Sequence, residues 1–282
     1  MTTTERTIEV QEVDGASGGA GVESRSIAPE DLVVIEEMIE AGLLYGLNKS
    51  KTHPGMRGAI LLTRSGVEVI NLEQTLAALK KSVVFLAEAL AGGKQVLFVG
   101  TTPVAQAIVR AVAERLRQPY VTERWLGGTL TNFKVVSKRV ERLKKLTLDR
   151  EAGALGKYTK KERLMIDREV QKMRVLFGGI EHMSQLPGAL VVVNPIANGT
   201  AVREARRMKI PVVALMNTNA NPAEIAYPIP GNDRIVKGVT WALDYLERGL
   251  AIKVGGAGVA EKVAEETRTQ EKHTDDGGSQ EA

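Results

Sequence analysis

The chain has 282 residues, 43% of them hydrophobic and 26% charged, which is enough apolar mass for one large or two small domains. It contains no cysteine, so disulfides, thiolate metal sites and a cysteine nucleophile are excluded. The formal net charge of +4 hides an asymmetry: residues 1–37 carry nine acids against two bases, residues 261–282 seven acids against three, and the span between them is left at +15.

Residues 1–26 are polar, rich in Gly, Ser and Glu, and aperiodic, so they read as a disordered acidic tail. An α/β domain is expected from residue 27. "APEDLVVIEEMIEAG" predicts a short helix with Pro29 in its first turn and Glu30 and Asp31 at its positive end. "AILLTRSGVEVINL" predicts strands on both sides of Arg64-Ser65-Gly66. Leu72, Leu76, Leu79, Val83, Leu86 and Leu90 recur at helical spacing up to Gly92-Gly93. "QVLFVG" is the continuous apolar run of a buried parallel strand, and "PVAQAIVRAVAERL" reads as the helix behind it, capped by Thr101 or Thr102.

The alternation resumes over 180–254. "ALVVVN" and "VVALM" read as strands. "GTAVREARRM" reads as a helix capped by Asn198, and "DRIVKGVTWALDYLERGL" as one capped by Asn232. "NTNANPAEIAYPIPGND" carries three prolines and reads as a rigid extended loop. Buried strands alternating with helices imply a parallel sheet layered by helices. Residues 255–282 read as a second disordered acidic tail.

Between the halves, over 127–179, lies a different pattern. Leu130, Phe133, Val136, Val140 and Leu143 follow helical spacing, and "DREAGALGKY" breaks it. Thr159-Lys160-Lys161-Glu162 is a capping-box sequence, and Ile166, Val170, Met173 and Phe177 form a coiled-coil-like stripe. This is an inserted helical hairpin with narrow apolar seams. Residues 131–177 hold 14 bases and six acids, a net +8 that internal ion pairs cannot neutralise. Such a hairpin suits an arm lying along phosphates. The candidate RNA-binding residues are Lys134, Lys138, Arg139, Arg142, Lys144, Lys145, Lys160, Lys161 and Arg163 on the hairpin, with Lys49, Lys51, His53 and Arg57 ahead of the sheet and Arg124 at the hairpin base.

Signals for chemistry are weak. No phosphate loop, dinucleotide fingerprint, H-E-x-x-H or G-x-S-x-G motif occurs, and the three histidines are far apart in sequence. The strand ends offer Asn194, Asn217, Asn219 and Asn221, and amides are poor proton carriers. No catalytic, cofactor or metal residue is assigned. With no apolar span long enough for a membrane, a cytosolic protein is the simplest reading.

"FVGTTPVAQA", "RWLGGTLTNF", "LPGALVVVNPIANGTAVREARRMKIPVVALMNTNANP" and "YPIPGND" together resemble the bacterial small ribosomal subunit protein number two, the universal S-two family. The resemblance runs in order from about Met38 to Leu250. It implies a flavodoxin-like three-layer α/β/α sandwich with an inserted coiled-coil hairpin. It also implies an architectural, non-enzymatic role in the ribosome of the cytoplasm, with 16S rRNA and other small-subunit proteins as partners and no small-molecule substrate. Trp125 is then expected to pack the hairpin base onto the domain rather than stack on a base, with Thr131 or Asn132 capping the first arm. The alternatives are a nucleotide- or sugar-phosphate-binding enzyme on the same fold and a coiled-coil interaction protein.

The chain departs from the family pattern in one region. Where the family usually reads Gly-Val-His-Phe-Gly-His, "AGLLYGLN" puts Leu44 and Leu47 at the histidine positions, and Asn194 and Asn217 stand where two strands usually end in acids. A metal held by that set in relatives loses its ligands here, since Leu cannot ligate and Asn is a weak neutral ligand. Arg234 follows "GND" in place of a second acid.

Overall fold

The structure is a computed structural model that describes residues 29–152 and 159–253. Both expected acidic tails, and most of the break between the hairpin arms, lie outside the described residues. Helix α1 (Pro29–Glu40) leads into a small antiparallel sheet of β1 (Tyr45–Asn48), β2 (Ile60–Arg64) and β3 (Val67–Ile70), ordered β1-β3-β2. The β2–β3 pair follows the sequence pattern, whereas β1 has no alternation to announce it. Two 3₁₀ turns, Lys49–Lys51 and Pro54–Ala59, join β1 to β2. Asn71 caps α2 (Leu72–Ala91), accepting from the backbone N of Glu73 at 3.0 Å and of Gln74 at 3.4 Å.

The main sheet is parallel throughout. Its strands β4 (Val96–Val99), β5 (Tyr120–Val121), β6 (Ala189–Val193), β7 (Val212–Met216) and β8 (Tyr227–Pro230) lie in the order β5-β4-β6-β7-β8. Counted within this sheet the order is 2-1-3-4-5, that of the flavodoxin-like fold. Every residue of β4, β6 and β7 is buried, which is why they read as unbroken apolar runs. Strand β8 corrects an expectation, because the prolines of "YPIP" point to a loop. Both are tolerated on the sheet edge, where a missing N–H faces outward. The Gly231 N–H then continues the ladder to the Met216 carbonyl at 2.9 Å.

Helices cover both faces: α3 (Pro103–Arg115), α4 (Phe133–Glu151), α5 (Lys160–Phe177), α6 (Gly199–Arg207) and α7, residues 236–253. Strand alternation sorts the core into two halves. Phe98, Val191, Val193, Val213 and Leu215 face α1, α2, α3 and α7. Leu97, Val99, Val192, Ala214 and Met216 face α6, the inner part of the α4–α5 hairpin, and Met56 of the second 3₁₀ turn.

Three caps differ from expectation: at Asn198 and Asn232 another partner competes for the side chain, whereas the Thr102 hydroxyl is buried without a hydrogen-bond partner. The Thr102 side chain makes no cap bond to α3, while Thr101 Oγ1 donates to Asn198 Oδ1 at 2.9 Å. Asn198 therefore does not cap α6; its Nδ2 donates to the Val193 carbonyl at 2.9 Å and stitches the β4 and β6 loops together. Helix α7 starts at 236 rather than after Asn232, whose Oδ1 accepts the Arg234 N–H at 2.9 Å in a tight turn.

Candidate nucleic-acid interface

The hairpin runs between β5 and β6. Val136, Val140 and Leu143 of α4 are buried with Val170 and Phe177 of α5, the seam the periodicity announced. Further out the seam opens, and Leu148, Leu164 and Met165 are 64%, 51% and 62% exposed. Thr159 and Glu162 form the expected capping box: Glu162 Oε2 accepts from the Thr159 N at 2.9 Å, and Thr159 Oγ1 accepts from the Glu162 N at 3.4 Å. Those bonds hold the Glu162 carboxyl below the usual range, the backbone bond from Thr159 contributing most.

The hairpin base is fixed by a residue that no sequence motif singles out. Glu204 on α6 is 8% exposed, and its carboxylate accepts five hydrogen bonds. They come from the backbone N of Gly128 (2.9 Å), Leu130 (3.1 Å) and Thr131 (3.2 Å), Thr131 Oγ1 (3.2 Å) and the Trp125 indole (3.1 Å). Burial alone would push this carboxyl up, but the donors outweigh it and leave it below the usual carboxylate range. Trp125 thus packs the hairpin base onto the domain, as expected. Thr131 is engaged by Glu204 and Asn132 makes no side-chain cap bond, so neither caps α4. Gly128 adopts a φ of +92°, which turns its N–H toward Glu204.

All nine hairpin candidates, Lys134, Lys138, Arg139, Arg142, Lys144, Lys145, Lys160, Lys161 and Arg163, are exposed. Lys49, Lys51, Arg57 and Arg124 are exposed as well. His53 is half-buried: its Nδ1 accepts the Gly55 N–H at 3.1 Å and its own N–H donates to the Thr218 carbonyl at 2.8 Å. It is therefore tied into its turn more than the bases around it.

The fold sorts charge by face. Helices α1, α2, α3 and α7 carry seven bases and ten acids, whereas the opposite layer of the second 3₁₀ turn, hairpin and α6 carries 17 bases and seven acids. Among the described residues, only Arg142–Glu169 (2.9 Å) is an ion pair within that basic layer, and the other four pairs involve α2 or α3. The basic layer therefore holds its cations mostly without carboxylate partners.

At the strand ends, Asn194 Oδ1 accepts the Ala197 N–H at 2.9 Å. Asn217 Nδ2 donates to Asn232 Oδ1 at 3.4 Å and to Asp233 Oδ1 at 3.3 Å. The fold thus brings in an acid, Asp233, where the strand ends themselves offer only amides. Burial pushes its carboxyl up, partly offset by Asn217 and Arg234. These residues do not fit a resident metal: Leu44 and Leu47 offer hydrocarbon, and Asn194 and Asn217 are already engaged. Among the described residues, no three His, Asp or Glu converge as a metal-holding group.

A profile of the ribosomal protein S2 family matches residues 38–252, most of the chain and nearly all of its described part. The chain belongs to the ribosomal protein S2 family. It is similar to the small ribosomal subunit protein uS2 of Micrococcus luteus, 39% identical over 251 residues, 86% of this chain and 88% of the relative. The uS2 proteins of Acidothermus cellulolyticus (42% over 210 residues, 74% and 76% of the two chains) and Thermobifida fusca (39% over 240 residues, 83% and 82%) are similarly close. S2 membership accounts for the flavodoxin-like sheet and for the absence of a catalytic signature. No helix among the described residues is long and apolar enough to cross a membrane.

Proposed function

We propose that this protein is a structural constituent of the small ribosomal subunit, the role its uS2 relatives are named for, acting in the cytoplasm through contacts with 16S rRNA and neighbouring small-subunit proteins. The observation that carries the rRNA reading is the basic layer of 17 bases against seven acids, almost free of internal ion pairs. Cations left without carboxylate partners at a solvated surface suit phosphates, whose neutralisation releases counterions. The hairpin supplies the long reach, and the exposed bases Lys49, Lys51 and Arg57, with His53, supply a second basic patch on turns of which the second seats Met56 in the hairpin-side core. The domain is read as 27–126 and 180–254 with the hairpin inserted over 127–179. The protein catalyses nothing, in keeping with its place in a ribosomal protein family; Asn194 accepts from backbone, and Asn217 bonds Asn232 and the buried Asp233.

The test is charge reversal of Lys138, Arg139, Arg142, Lys144 and Lys145 to Glu in the full chain. Occupancy in purified small subunits should fall, most steeply at raised salt. Wild-type occupancy across the salt series would end the rRNA reading of the hairpin.

A further inference from the structure

We infer that the outer face of α6, formed by Arg203, Arg206 and Arg207, is a second contact for RNA phosphates, held at a fixed offset from the hairpin. This rests on the rRNA-binding reading above and adds residues outside its candidate set. Helix α6 buries Ala201, Val202, Glu204 and Ala205 and exposes the three arginines. At about 100° per residue, Arg207, Arg203 and Arg206 lie roughly 60°, 100° and 160° from Glu204, all on the same side of the helix. They form one continuous strip.

Nothing within the described residues neutralises that strip. None of the three arginines there has a carboxylate at ion-pair distance. The only acid of α6 is Glu204, which points inward with its oxygens taken by the hairpin base. Arg203 spends one guanidinium donor on Thr200 Oγ1 at 3.1 Å. Like charges at i,i+3 (Arg203, Arg206) and i,i+4 (Arg203, Arg207) cost helix stability. The helix dipole favours Arg206 and Arg207 in the last turn but offers Arg203 nothing there. A short helix that keeps this repulsion fits an external polyanion, and three planar guanidinium forks match phosphate oxygens better than carboxylates scattered on a protein.

Glu204 makes the strip more than an isolated patch. The same helix that displays the arginines outward grips residues 125–131 inward, just ahead of α4. Arg124 precedes the Trp125 indole that touches Glu204, so its position is tied to α6 as well. The hairpin and the α6 strip therefore present phosphates with two surfaces at one set spacing.

The experiment compares wild type, Arg203→Gln/Arg206→Gln/Arg207→Gln, the all-Lys triple variant and the hairpin reversal variant, titrated with 16S rRNA transcript over a salt series. With each lost phosphate contact worth about 0.7–0.9 in slope, the Gln variant should have a plot of log affinity against log salt shallower by about two, and about tenfold weaker binding near physiological salt. Its melting temperature should hold or rise, because the repulsion is gone. The Lys variant should keep most of the slope while binding less tightly, which separates charge from misfolding. An unchanged Gln variant beside a weakened hairpin variant would overturn the α6 contact and leave the rRNA reading standing. If neither variant weakens, both readings fall. Unchanged rRNA affinity with lost subunit incorporation would assign the strip to an acidic protein, and that too would overturn the inference.

Discussion

The Trp125 indole donates to Glu204 Oε1 at 3.1 Å across 79 positions of sequence, and this bond joins the hairpin base to α6. Because four further donors converge on the same carboxylate, Glu204→Ala would leave several buried N–H groups without an acceptor. It should cost about 3–5 kcal/mol in chemical denaturation, as other broken buried charge contacts do. Glu204→Gln keeps one acceptor oxygen and should cost less. Trp125→Leu, which keeps bulk but loses the donor and the ring, should destabilise the fold while leaving rRNA affinity unchanged. A base stacked on Trp125 would instead take about 1–3 kcal/mol of binding with it.

Glu204 also gives the fold an acid-sensitive joint. Its carboxyl titrates below the ordinary range because the donors outweigh burial. A depressed carboxylate contributes stability that is complete above its unfolded pKa and is lost as pH falls through the folded value. The contribution should be intact at neutral pH and fade below about pH 4.3, the unperturbed value for Glu. Melting curves from pH 7 down to strongly acidic buffer should converge for wild type and Glu204→Gln. Parallel curves would mean that the carboxylate charge contributes nothing at this joint.

Asp233 should behave in the opposite sense. Burial raises its carboxyl, so the folded state holds the proton to higher pH than the unfolded chain does. Stability is then lost as pH rises through the folded pKa, and at neutral pH the buried charge is a standing cost. Asp233→Asn should raise the melting temperature at pH 7, and the gain should vanish below about pH 3.9, where Asp is protonated even unfolded. A lower melting temperature at pH 7 would show that the charge is held by groups beyond Asn217 and Arg234.

The strands β4, β6 and β7 and helices α2 and α5 are legible in the sequence because one local pattern, an apolar run or a three-to-four stripe, decides each of them. Strand β8 is not, since its prolines argue against a strand and only an edge position reconciles them with one. The caps expected at Asn198 and Asn232 fail for a common reason: a side chain that can cap its own helix can also bond elsewhere, and the fold supplies better partners. Among site residues, the basic hairpin can be counted in the sequence. Glu204 cannot be found there, because a lone acid in "REARR" looks like one more surface charge until the fold turns it inward. The only available signal is its place on the alanine-lined face of α6. The division of charge between two faces depends on strand alternation and crossover direction, and no linear count contains it.

Three glycines around the hairpin should answer differently to alanine. Gly127 is exposed, with nothing within 4 Å of where a methyl would stand, so Gly127→Ala should be neutral or gain up to about 1 kcal/mol from a stiffer unfolded chain. Gly128 holds φ at +92° to aim its N–H at Glu204, so Gly128→Ala should cost about 1–2 kcal/mol in backbone strain. Gly179 is the severe case. A Cβ there would overlap the Tyr120 carbonyl oxygen and lie 2.6 Å from ring carbon Cδ2 of the same residue. Tyr120 cannot retreat, because β5 is paired with β4 and the Phe98 N–H donates to the Pro119 carbonyl at 3.0 Å. The added methyl must therefore push the end of α5 off the sheet edge, at about 1–3 kcal/mol or more. Hydrogen exchange should report the difference: Gly179→Ala should speed exchange in β5 and the last turn of α5, while Gly127→Ala leaves both at wild-type rates. Equal protection in the two variants would mean that the hairpin exit is not held by close approach to Tyr120.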